Sequence, residues 1–117
     1  MKPGQVIERY HQAWTGGDFV TARASLADDL DFRGSIDTFS NADEFIAALQ
    51  RFSAMLKGVT LLQNCHDDKG GALLYDCDTA GPAGVIRTAE FFTVSDGRIS
   101  AIRLVFDATE LRKAMQG

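Results

Sequence analysis

Along the first half of the chain, apolar positions return every three or four residues; along the second half they return every two. Val6, Ile7, Tyr10, Ala13 and Trp14 form one stripe at helical spacing, behind a proline at position 3 that a first helical turn tolerates. Gly16 and Gly17 suit the end of that helix, and Asp18 suits the cap of a second, short one carrying Phe19, Val20, Ala22 and Leu26. Asp28 and Asp29 break the pattern. Residues 30–33 then alternate apolar and charged like a half-buried strand, and residues 34–39 read as a turn-rich link. Ser40 or Asn41 opens a third helix, with Phe45, Ile46, Leu49, Phe52 and Leu56 on one face and Gly58 as its stop. Beyond it the spacing predicts four strands, at 59–66, 72–80, 85–94 and 98–106. The turns between them fall at 67–71, 81–84 and Ser95-Asp96-Gly97. Asp107 to Glu110 has the spacing of a capping box opening a short helix to residue 115. Helices first and an antiparallel meander afterwards predict an α+β fold.

Composition narrows the function classes. At 117 residues the expectation is a single domain, 1–117. Twelve Lys and Arg against sixteen Asp and Glu give a net charge of −4, with no basic stretch to follow a phosphate backbone, so nucleic acid is not an expected partner. The longest apolar runs are a few residues, such as Leu104-Val105-Phe106, far short of a membrane span. The segment MKPGQVIERYHQ lacks the apolar core of a secretory signal. Cys65 and Cys77 are therefore expected as free thiols in a reducing, cytoplasmic setting. His11 and His66 complete no metal-ligand spacing, and neither a phosphate loop nor a dinucleotide or nucleophile-elbow motif is present, so neither metal nor cofactor is expected.

Strand alternation assigns faces. On the last strand Ile102, Leu104 and Phe106 are purely apolar and belong inside, whereas Ala101, Arg103 and Val105 carry a charge and belong outside. On the strand at 72–80, Tyr75, Cys77 and Thr79 point in and Asp76 and Asp78 out, because two aspartates are costly in an apolar interior. Phe91 and Phe92 compete for the inner face of the strand at 85–94. Tyr10 and Trp14, four residues apart, share a helix face; His11 then points elsewhere and is expected on the surface, and His66 is expected to decorate a hairpin turn.

Three segments in this order resemble the nuclear-transport-factor-2-like superfamily, which includes ketosteroid isomerases and SnoaL-like polyketide cyclases. They are ERYHQAWTGGDF at 8–19, LADDLDF at 26–32 and FFTVSDGRISAIRLVFD at 91–107, and the resemblance covers nearly the whole chain. It implies a cone: a strongly curved mixed or antiparallel sheet wrapped around three N-terminal helices, closed by a short C-terminal helix, with one apolar pocket open at one end. In ketosteroid isomerase an aspartate base works beside an oxyanion hole made of a tyrosine and a protonated aspartate. The resemblance matches Tyr10 to that tyrosine, but a gapless register puts Gly34 and Ala89 at the two carboxylates, and neither can carry a proton. That register also turns Ala89, Phe91 and Thr93 inward and Glu90 and Phe92 outward; a shift of one residue brings Glu90 in.

The pocket implied is ringed by Tyr10, Trp14, Phe32, Tyr75, Phe91, Leu104 and Phe106, a lining suited to a flat, mostly apolar ligand held by one or two hydrogen bonds. Asp37, in the loop after the first strand, is a candidate displaced base at the mouth, and Arg87 a candidate contact for an anionic ligand. Leu74, Phe92 and Val105 among Asp76, Asp78, Glu90 and Arg103 would make the outer sheet face a partner surface, and the resemblance implies a homodimer through it. Three functions follow as expectations. The first is a small-molecule-binding domain. The second is a cyclase, isomerase or hydratase acting on a polyketide- or steroid-like substrate, with Tyr10 as donor and Asp37 or Glu90 as base. The third is an adaptor module without ligand. Whether any reaction is catalysed stays open at this level.

Overall fold

Glycine and capping residues place the helices where the apolar stripes require them. In the computed structural model, which describes residues 1–116 and the side chains of 1–113, α1 spans Pro3–Thr15 and buries Val6, Ile7, Tyr10, Ala13 and Trp14. Gly17 follows at φ +84°, a left-handed conformation that glycine takes without penalty. The Asp18 carboxylate accepts the Thr21 N–H at 3.0 Å and starts α2, Phe19–Ala24. Asn41 caps α3, Ala42–Ser53, by accepting the Glu44 N–H at 2.9 Å, an interaction worth about 1 kcal/mol.

The strands are β1 (Leu26–Arg33), β2 (Thr38–Phe39), β3 (Leu56–His66), β4 (Gly70–Thr79), β5 (Val85–Ser95) and β6 (Arg98–Phe106), and α4 spans Thr109–Gln116. They form one mixed sheet in the order β2-β1-β6-β5-β4-β3. The β1 pairing to β6 is parallel and the others are antiparallel. Hairpin β5–β6 turns through Asp96 and Gly97 at φ 53° and 77°, the pair of positive values that matches the twist of the flanking strands. The Asp107 carboxylate accepts from the Thr109 N–H and hydroxyl at 3.0 and 2.7 Å ahead of α4. The predicted α+β class is the one observed: N-terminal helices packed on the inner face of a six-stranded mixed sheet, with a short helix at the C-terminal end.

Two boundaries differ from expectation. Leu26 is the buried first residue of β1, not the end of α2, because Ser25 already caps α2 and its carbonyl accepts the Ile99 N–H of β6 at 2.9 Å. Gly58 does not stop α3. The helix ends at Ser53, and β3 begins at Leu56, paired with Thr79, since the Met55 carbonyl accepts the Ala80 N–H at 2.9 Å.

Pairing fixes the faces. Tyr75 lies opposite Thr88, Thr88 opposite Phe106, Glu90 opposite both Leu73 and Leu104, and Phe92 opposite Ile102. Residues directly opposite share a face, so Thr88, Glu90 and Phe92 lie inside with the apolar set of β6 and with Tyr75 and Cys77 of β4. This overturns the inward placement of Ala89, Phe91 and Thr93. Phe92 is 5% exposed and Glu90 1%, whereas Phe91 is 51% exposed on the outer face beside Ala72 and Arg103. His11 is also corrected: it is buried between the rings of Trp14 and Tyr75, at centroid distances of 5.7 and 5.0 Å. His66 is exposed at the end of β3, its ring lying against Gly4, where a Cβ would sit 2.6 Å away.

Candidate functional site

Between the helices and the inner face lies a cavity of about 130 Å³. One turn of α1 supplies Tyr10 and Trp14, brought to the same wall by their four-residue spacing. Adjacent β-strands supply Tyr75 and Cys77, Ile86, Thr88 and Glu90, and Leu104 and Phe106. From β1 comes Phe32, stacked on Phe45 of α3 at 4.5 Å between centroids, and Phe39 packs against both. The lining grades from buried Tyr10, Trp14, Tyr75 and Glu90 to half-buried Ile36, Phe52 and Leu111 and exposed Asp37, so the cavity opens on that last side. The loop at the mouth is fastened: the Ser35 hydroxyl accepts the Phe106 N–H at 3.0 Å, and the Ser35 carbonyl accepts from Arg112 at 3.0 Å.

The polar end of the cavity is one connected group. The Tyr75 hydroxyl donates to Glu90 Oε1 at 2.8 Å. Burial lifts the Glu90 carboxyl to about 7, with the Tyr75 hydrogen bond pulling weakly the other way. Burial, and then the proximity of Glu90, hold both Tyr10 and Tyr75 well above the usual phenol range. The same two causes push the Cys77 thiol up to about 12, which leaves it protonated and unreactive. The Tyr10 hydroxyl and the Trp14 indole N–H are fully buried and have no hydrogen-bond partner among the described residues. His11, behind the aromatic wall, is lowered to about 4 by burial and stays neutral.

Of the residues the sequence nominated, Tyr10, Trp14, Phe32, Tyr75, Leu104 and Phe106 line the cavity, Gly34 lies at its edge and Asp37 at its mouth. Phe91 does not; it faces the opposite side of the sheet. Arg87 is on that outer side too, paired with Asp76 at 2.9 and 3.1 Å, and makes no contact available to a ligand in the cavity. Sequence reasoning held Glu90 inside only under a one-residue shift of register, and missed the contribution of Phe39, Phe45 and Phe52. Among the described residues there is no cluster of side chains that could hold a metal ion, and no helix is long and apolar enough to cross a membrane.

Comparison with known proteins bears on the fold and the family. A family model described as a SnoaL-like domain matches residues 7–102. No curated protein sequence matches the chain significantly. A crystal structure of a protein from Kribbella flavida superposes with a TM-score of 0.88 at 35% identity, covering 96% of this chain and 92% of that one. An NTF2-like protein of unknown function from Cytophaga hutchinsonii superposes with a TM-score of 0.83 at 15% identity, covering 96% of both chains. A protein with a ketosteroid isomerase-like fold from Catenulispora acidiphila, in complex with trimethylamine, gives a TM-score of 0.74 at 15% identity, covering 94% of this chain and 90% of that one. The last two likenesses speak for the fold alone.

Proposed function

The chain belongs to the SnoaL-like domain family, and on that premise we propose that it binds a small, mostly apolar or aromatic molecule in the cone cavity. The observation that carries this reading is a pair of fully buried donors, the Tyr10 hydroxyl and the Trp14 indole N–H, that line an aromatic cavity with no partner among the described residues. A buried donor without an acceptor costs about 1–3 kcal/mol, which a ligand atom placed against it would recover. Supporting this, the Catenulispora acidiphila relative holds trimethylamine. Ligand-observed NMR against a library of one-ring compounds is the first test. For a hit, Tyr10→Phe is expected to weaken binding about tenfold, because one hydrogen bond is lost, while folding stability is unchanged or slightly higher. Retained affinity in both Tyr10→Phe and Trp14→Phe overturns this assignment of the site.

A second reading has its own observation in Glu90. A carboxyl held near 7 inside an apolar cavity is matched to proton transfer at neutral pH, which supports an isomerase, cyclase or hydratase with Glu90 in the acid–base role. Asp37, exposed at the mouth, is a weaker base candidate. The same NMR experiment separates the two, since an enzyme converts its ligand over time and a binding protein returns it unchanged.

On the outer sheet face, Phe91, Val105, Leu74 and Ala89 form an apolar strip between two ion pairs, Arg87–Asp76 and Arg103–Asp31. We take this face as the surface of a homodimer, with Phe91 in the position that Phe92 was expected to hold. Sedimentation velocity is expected to show a dimer that Phe91→Asp converts to monomer; a monomeric parent chain overturns it. The unpaired thiols Cys65 and Cys77 accord with a cytoplasmic setting, and residues 1–117 are taken as one domain without cofactor.

A further inference from the structure

If the cavity is a small-molecule site, as read above, its size and charge restrict what enters. Its volume, about 130 Å³, is close to the ~150 Å³ of an engineered cavity that takes benzene and below the ~300–1,000 Å³ of pockets for drug-sized ligands. One ring or a compact branched group fits; a polycyclic skeleton of the steroid or polyketide kind does not.

The charge inventory is one-sided. The ionisable side chains on the wall are the carboxyls of Glu90 and Asp37, the two phenols and the Cys77 thiol; no Lys, Arg or His is among the described lining. Each element packed around Glu90 repeats this. From α1 it is faced by Tyr10, with His11 held neutral behind the rings; β4 presents Leu73, Tyr75 and Cys77, and β6 presents Leu104. The guanidiniums of β5 and β6, Arg87 and Arg103, lie on the other side of the sheet, bonded to Asp76 and Asp31, and Arg112 at the mouth is bonded to the Ser35 carbonyl. Any net charge the cavity carries is therefore negative. Around it stand the rings of Tyr10, Trp14, Tyr75, Phe32 and Phe45, whose π systems attract cations at their faces and repel anions there.

We infer that the cavity selects a compact organic ammonium, no larger than one ring, which sits among these aromatic rings with its N–H groups donated to the Glu90 carboxylate and to the oxygen of the unpartnered Tyr10 hydroxyl. Binding then displaces the carboxyl proton to solvent: an ammonium and a protonated Glu90 become an ammonium–carboxylate pair plus one proton taken up by the buffer. Since Glu90 is held near 7 when the cavity has no charged guest, ammonium affinity rises with pH below about 7 and levels off above it. A neutral guest shows no such dependence, and a carboxylate is excluded.

Three molecules of one shape test this: tert-butylammonium, tert-butanol and pivalate, titrated by protein-observed NMR at pH 6 and pH 8. The expected order at pH 8 is tert-butylammonium at least about tenfold tighter than tert-butanol, with pivalate weakest; between pH 6 and 8 only the ammonium gains, by about tenfold. Glu90→Gln keeps an acceptor for Tyr75 and removes the charge. In that variant the ammonium preference and its pH dependence are expected to vanish while tert-butanol binding and the folded NMR spectrum persist. Equal affinity for the ammonium and the alcohol, or a preference that survives Glu90→Gln, overturns the inference and leaves the small-molecule site standing. Binding of none of the three overturns both.

Discussion

Glu90→Gln is expected to stabilise the protein by about 3 kcal/mol at pH 8 and to have little effect near pH 4. The magnitude comes from a carboxyl lifted from 4.5 to about 7 by burial, at about 1.4 kcal/mol per pH unit of displacement. Because the folded-state value is raised, the folded protein holds this proton more tightly than the unfolded chain between those limits. Stability is thus highest below 4.5 as far as Glu90 is concerned, and falls as pH rises through about 7. His11 acts in the opposite sense. Its folded-state value is lowered from 6.5 to about 4, so its contribution is complete above 6.5 and is lost as pH falls towards 4. Over the shared interval the two slopes nearly cancel. The parent chain is expected to be almost level in stability from about pH 4.5 to 6.5 and then to weaken slightly towards 7. In Glu90→Gln the His11 slope stands alone, and stability climbs by about 3 kcal/mol from pH 4 to 6.5. Urea denaturation of both proteins at pH 4.5, 6 and 8 reads this directly. Identical midpoints at pH 8 would mean that Glu90 ionises without penalty, and the picture of a dry carboxyl would be wrong.

The helices were legible in the sequence because their signals are local. A cap such as Asn41, a stripe such as Val6 to Trp14 and a glycine pair act within a turn or two, and each was found where the spacing put it. Face assignment on a strand depends instead on which of two alternating sets is less costly to bury, and on β5 the usual guide fails: Phe91 and Phe92 are equally apolar and adjacent. The gapless register implied by the resemblance then put the carboxyl outside. The decisive residue was Arg87. An arginine cannot shed its charge, whereas a buried glutamate neutralises itself by keeping a proton. Arg87 and Glu90 are three positions apart and so lie on opposite faces; turning Arg87 outward to meet Asp76 sends Ala89 and Phe91 out and brings Glu90 in. The same comparison places His11, which lies inside because its ring packs on Trp14 and Tyr75 in a neutral form. The borrowed gapless register put Glu90 outside, and adjacency to Tyr10 on the helix put His11 on the surface; the ability of each side chain to lie buried in its neutral form corrects both. The aromatic share from α3, Phe45 and Phe52, was visible as a stripe, but nothing in its spacing said that a cavity, rather than closed packing, lay beneath it.

A single methyl group at Gly70 is expected to be among the most damaging substitutions in the chain, because this glycine sets the approach of β4 to β5. Gly70 opens β4 opposite Thr93, and a Cβ built on it falls on the Phe92 carbonyl oxygen, with the Phe92 carbonyl carbon at 2.9 Å and the Thr93 Cα at 3.2 Å. All three are backbone atoms, so no side-chain rotation relieves the contact. Either the strands part, losing the start of the ladder and the Val94 N–H bond to the Lys69 carbonyl at 2.8 Å, or the pairing slips. A slip of one residue sends every side chain of β5 to the other face, which would bring Phe91 into the cavity and put Glu90 on the surface. The register that places Glu90 beneath the aromatic wall therefore depends on Gly70. Gly70→Ala is expected to cost about 3 kcal/mol or more, or to prevent folding, in line with other changes that force a backbone shift in a packed interior. Gly58→Ala is the matched control. It lies in β3 with no atom within 4 Å of an added Cβ and without a left-handed backbone, so it is expected to be neutral or slightly stabilising. Equal melting temperatures for the two variants would show that β4 and β5 are not held this closely, and that the inner placement of Glu90 does not depend on Gly70.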